Sequence, residues 1–112
     1  MDIGIVLSYL SKIERGNLRT THHFLLRVNG RKGNILLDEN GIIEIILNKI
    51  PVGILKQDID KFKLLYDFTD KYDLVIIISV KNSDPITINL ISCFQENSKK
   101  RRRENVSGLQ GQ

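Results

Sequence analysis

The spacing of apolar positions changes along the chain, and each change marks an element. Ile3, Val6, Leu7, Leu10 and Ile13 recur at three and four, one stripe at helical period, and predict a helix from Asp2 to Arg15. Asp2 supplies an N-cap and Gly16-Asn17 a left-handed stop. His23–Val28 is mostly apolar and ends on the turn signal Asn29-Gly30. Gly33–Leu37 follows, then the turn Asp38-Glu39-Asn40-Gly41, then Ile42–Leu47, which is broken by Asn48, Lys49 and Pro51. Three apolar runs separated by short polar loops predict an antiparallel meander.

Lys56–Thr69 predicts a second helix, with Ile59, Phe62, Leu65, Tyr66 and Thr69 at spacings of three and four and with Asp58 and Asp60 near the positive end of its dipole. Pro51–Leu55 fits either the end of the third strand or the start of this helix. Asp73–Val80 holds the run Leu74-Val75-Ile76-Ile77-Ile78, a strand buried on both faces. After the turn Asn82-Ser83-Asp84-Pro85, Ile86–Phe94 alternates as a half-buried strand. Glu96–Gln112 is nearly devoid of apolar residues and reads as a solvated tail.

The expected architecture is one α+β domain over residues 1–95, of order α-β-β-β-α-β-β with a mainly antiparallel sheet, and a basic flexible tail over 96–112. Without the first helix, the order from Thr21 to Phe94 resembles that of an OB-fold, a small five-stranded barrel with its helix between strands 3 and 4. An open sheet covered by helices fits the same order.

Composition sharpens the picture. The chain has 112 residues, 41% of them hydrophobic, enough for one core and too many for a disordered chain. It contains 17 Ile and no Ala, a bias toward strand over helix. No apolar run approaches the roughly 20 residues that span a bilayer. No basic stretch precedes an apolar one at the N-terminus, so the expected location is the cytoplasm, with no membrane partner. A single cysteine, Cys93, rules out an intrachain disulfide and a multi-cysteine zinc site.

Charge is uneven. Residues 1–95 carry 12 cations against 11 carboxylates, whereas residues 96–112 carry five against two. The five are consecutive: Lys99, Lys100, Arg101, Arg102 and Arg103. No core can use such a run, but phosphates can, through counterion release and without regard to base sequence. A solubilising tail or an acidic protein partner would look alike. Arg27, Arg31 and Lys32 flank the first expected hairpin turn and would extend the basic patch if they faced the same side. Gly30 and Gly33 are what that turn needs in any case.

Other candidate chemistry is thin. His22-His23 would point to opposite faces of a strand and could not easily share a metal. Asp58, Asp60, Asp67, Asp70 and Asp73 surround the second expected helix, where capping and turns explain them. Cys93 reads as a small buried hydrophobe. Strands 2 and 3 offer no aromatic platform for stacking bases, so contact with phosphates is favoured over contact with bases. No nucleophile with a partnered base can be named, so no catalysis, cofactor or metal is expected. The reading is a small nucleic-acid-binding protein, DNA or RNA. The alternative is a protein-interaction module, a small subunit or inhibitor of a larger complex, with a protein partner or a second copy of itself.

Overall fold

A computed structural model of the chain describes residues 2–30, 37–81, 85–99 and 107–108. In chain order they form α1 (Ile3–Leu10), a 3-10 turn (Arg15–Asn17), β1 (Leu18–Thr20), α2 (His22–Gly30), α3 (Glu39–Asn48), β2 (Gly53–Lys56), β3 (Lys61–Asp67), β4 (Tyr72–Lys81), β5 (Thr87–Asn97) and β6 (Ser107–Gly108). The fold is α+β. Its sheet is mixed and open, with five strands in the order β1-β5-β4-β3-β2 and the two residues of β6 on the outer side of β2. β1 runs parallel to β5, and the other neighbours are antiparallel.

The expected order and the OB-like closure are therefore corrected. His23–Val28 and Ile42–Leu47, expected as strands, lie in α2 and α3. Their caps explain it. The Thr21 hydroxyl accepts the Phe24 N–H at 3.1 Å, and an Asp38 carboxylate oxygen accepts the Gly41 N–H at 2.8 Å. Each side chain thus satisfies a first-turn donor that a helix leaves open. Phe24 and Val28 in α2, and Ile42, Ile43 and Ile46 in α3, then form buried stripes.

The expected helix Lys56–Thr69 is instead the end of β2, a turn and β3. Phe62, Leu64 and Tyr66 alternate into the core, and β3 pairs along its whole length with β4, from Lys61 opposite Ser79 to Asp67 opposite Asp73. The ambiguous stretch before it includes the start of β2. The middle expected strand, Gly33–Leu37, lies outside the described residues except for Leu37, which precedes the α3 cap. α1 keeps its Asp2 cap, whose carboxylate accepts the Ile5 N–H at 2.9 Å, but it stops at Leu10; Gly16-Asn17 sits in the 3-10 turn. β4 and β5 stand close to where the pattern put them, although β5 continues through Glu96 and Asn97.

One core fills the front of the sheet. Val6 and Leu10 of α1, with the α2 and α3 stripes, pack on Ile54, Phe62, Leu64, Tyr66, Leu74, Ile76, Ile78, Val80, Ile88, Leu90 and Cys93. In β5 the pairing slips between Ile77 and Ile78, leaving Ile91 as a bulge. The slip lets Leu90 and Cys93, three apart, both enter the front core. The intervening positions of β3 and β4 face the back, and Lys63, Leu65, Asp73 and Val75 there are buried as well.

Candidate nucleic-acid interface

β5 organises the basic features that can be located. β1 covers its edge only from Ile88 to Leu90. There Thr21 takes over, its N–H and hydroxyl both donating to the Leu90 carbonyl, at 3.1 and 3.0 Å. α2 then proceeds alongside the second half of β5, which protects an edge that would otherwise present unpaired backbone groups.

Arg27 reaches from α2 onto the back of that strand. Its Nε donates to the Ser92 hydroxyl at 3.2 Å, and its guanidinium lies 5.9 Å from the centroid of the Phe94 ring. Ser92 is buried and Arg27 is half-buried, so this cation is engaged within the fold. Lys99 is exposed two residues beyond the end of β5, and its backbone N–H donates to the Asn97 side chain at 2.9 Å. Arg31, Lys32, Lys100, Arg101, Arg102 and Arg103 lie outside the described residues. Of the sequence-derived candidates, Arg27 and Lys99 are thus located, both associated with the second half of β5. Exposed Arg19 sits on β1, its guanidinium donating to the Gly16 and Leu18 carbonyls.

The back of the sheet holds an ionic arrangement that chain order alone does not reveal. Asp67 on β3, Asp73 on β4 and Glu96 on β5 are direct cross-strand partners, a row of three carboxylates on one face. Asp67 is exposed and Asp73 is fully buried. Lys63 Nζ donates to both Glu96 carboxylate oxygens, at 3.1 and 3.2 Å, with both side chains about 10% exposed or less. Lys63 belongs to the row of Ile77 and Ser92, two rows away, so the pair crosses β4 diagonally past Val75. These residues are distant in sequence, and only the strand register brings them together.

The remaining candidates fall elsewhere. His22 and His23 are both exposed on α2 rather than at the start of a strand. Asp58 and Asp60 belong to the β2–β3 turn, where Asp60 lies 3.7 Å from Lys81 Nζ, and Asp70 belongs to the β3–β4 turn. Cys93 is buried in the core. Among the described residues, no group of three or more His, Cys, Asp or Glu is arranged to hold a metal ion, and no helix is long and apolar enough to cross a membrane.

Residues 4–78 match the MJ0788 family, a span from α1 into β4. The chain is 45% identical over 62 residues to the uncharacterized protein MJ0788 of Methanocaldococcus jannaschii, an alignment covering 55% of this chain and 77% of that protein. No solved structure matches the chain. The run Lys99–Arg103 lies beyond the matched residues.

Proposed function

The chain belongs to the MJ0788 family, and for this member we propose a cytoplasmic, non-catalytic nucleic-acid-binding protein that grips phosphates through Lys99, Lys100, Arg101, Arg102 and Arg103. One observation carries the reading: five consecutive cations follow a body that is close to neutral. Binding of such a run to a polyanion is favoured by the release of the polyanion's condensed counterions. Lys99 is exposed as the run begins, which agrees with that use. Arg31 and Lys32 follow α2 directly in the chain and add to the same role. Arg27 has a smaller share, because it is already bonded to Ser92 and stacked near Phe94.

The test is gel retardation with duplex and single-stranded probes of unrelated sequence. If all five cations contact duplex phosphates, affinity should fall about 500-fold between roughly 50 and 200 mM salt. Loss should be alike for all sequences, since phosphate contacts carry no base information. No retarded band at the lower salt would refute the proposal.

A second reading, a small subunit binding a protein partner, is favoured by a different feature. Ile50 is 76% exposed at a groove of about 120 Å³ lined by Leu7, Leu10, Leu47 and Pro51 together with Ser11, Asn48 and Lys49. A partner held by that apolar surface would remain bound at high salt.

A further inference from the structure

Exposed aromatic side chains are scarce in this fold. The four Phe and three Tyr all lie among the described residues, and of these Tyr72 alone is exposed, at 40%. Its place is specific. Tyr72 opens β4 directly opposite Asn97 of β5, and two residues after Asn97 comes Lys99, where the run of five cations begins. Paired strand residues sit about 4.5–5.5 Å apart, and two residue steps add at most about 7 Å. Lys71, also exposed, precedes Tyr72 in the chain. One end of the sheet thus gathers an exposed ring and two exposed lysines.

The backbone beneath the ring is firmly held. The Tyr72 N–H donates to the Thr69 hydroxyl at 3.0 Å, and its carbonyl accepts the Thr69 N–H at 2.9 Å. The Lys71 N–H donates to the same hydroxyl at 3.3 Å, and the Lys71 carbonyl accepts the Ser98 N–H at 2.8 Å. The β3–β4 turn and the end of β5 are therefore tied together, and little backbone ordering remains to be done when a ligand lands there. Alternation along the paired strands puts Tyr72 and Asn97 on one side and Asp73 and Glu96 on the other. The acidic row lies on the opposite side of the sheet from the ring.

We propose that Tyr72 is a stacking platform for a nucleobase, with Lys71 and Lys99 beside it for the flanking phosphates, and that the ligand is single-stranded nucleic acid. The inference rests on the phosphate-binding reading and narrows it. Cations alone attract duplex and single strands. A base must be unpaired and unstacked to lie on a ring, so Tyr72 adds affinity for single strands only. Every base has such a face, so binding stays tolerant of sequence.

Fluorescence anisotropy of the full chain tests it, with labelled oligothymidylate and oligouridylate of about 16 nucleotides and a duplex of equal length. Tyr72→Ala should weaken both single-stranded complexes about 5- to 150-fold and leave the duplex complex unchanged. The loss should be the same at every salt concentration, because stacking releases no counterions. Tyr72→Phe keeps the ring and should bind like the parent. Replacement at this exposed position spares the core, and duplex binding by Tyr72→Ala reports that the variant is folded. Unchanged single-strand affinity in Tyr72→Ala, or an equal loss on the duplex, overturns the platform, while salt-sensitive binding by the parent upholds the phosphate reading. Single-strand binding that falls in Tyr72→Ala but is insensitive to salt does the reverse. No binding to any probe overturns both.

Discussion

Tyr66 is 1% exposed, and its hydroxyl has no hydrogen-bond partner among the described residues. An unsatisfied buried polar group costs about 1–3 kcal/mol, so Tyr66→Phe should leave stability unchanged or raise it by up to that amount in denaturant titrations. Burial also holds the phenol well above its usual pKa of 10.0. The folded state then keeps a proton that the unfolded state releases, so stability is intact below about pH 10 and declines as pH rises past it. The alkaline decline should be shallower in Tyr66→Phe. Lys63 and Glu96 present the opposite case, a buried and bonded pair. Lys63→Met removes both bonds to the Glu96 carboxylate and should cost more than replacing both partners by apolar residues of similar volume, as denaturant titrations would show. Arg27→Met removes the Ser92 bond and the Phe94 contact and should cost about 1–2 kcal/mol. Because that side chain is engaged within the fold, its loss should alter the salt slope of binding little.

At the scale of elements, legibility followed the strength and length of each period. β4 was plain because five consecutive apolar residues are too many for one face of a short helix. β5 was plain through its alternation, and α1 through its stripe and its Asp2 cap. The misread elements are short apolar runs in which both periods can be found. In α3, Ile42, Ile43 and Ile46 carry a helical stripe, but a composition rich in Ile and free of Ala argued for strand. Tertiary burial of that stripe outweighed intrinsic propensity. In β3 the alternation of Phe62, Leu64 and Tyr66 was present, yet Ile59 and Thr69 completed a helical reading across what is a turn on one side and a strand end on the other. Thr21 and Asp38 are the residues that decide for helix, each a cap of a type equally common in loops. Asp38→Ala should cost about 1 kcal/mol and reduce helical signal in circular dichroism, an effect that a turn between strands would not give. The acidic row had no counterpart in the sequence pattern, because cross-strand register decides which carboxylates meet.

For the whole molecule, the boundary between body and tail has a measurable position. Ending the chain after Gln95 removes Glu96 and leaves Lys63 buried without that carboxylate, whereas ending it after Lys99 retains the pair. The 1–99 chain should therefore unfold at a higher temperature than 1–95, and scanning calorimetry of the two would show it. The central claim, that the basic run binds phosphates, is tested most directly by fluorescence anisotropy of a variant with Lys99, Lys100, Arg101, Arg102 and Arg103 all replaced by Gln. The body left behind carries a net charge near +1, too little for long-range attraction. If all five cations contact duplex phosphates, the logarithmic salt slope should flatten by roughly four to five, and affinity should drop alike for random duplex and single-stranded probes. Unchanged affinity in this variant would contradict the account and shift the weight to a protein partner.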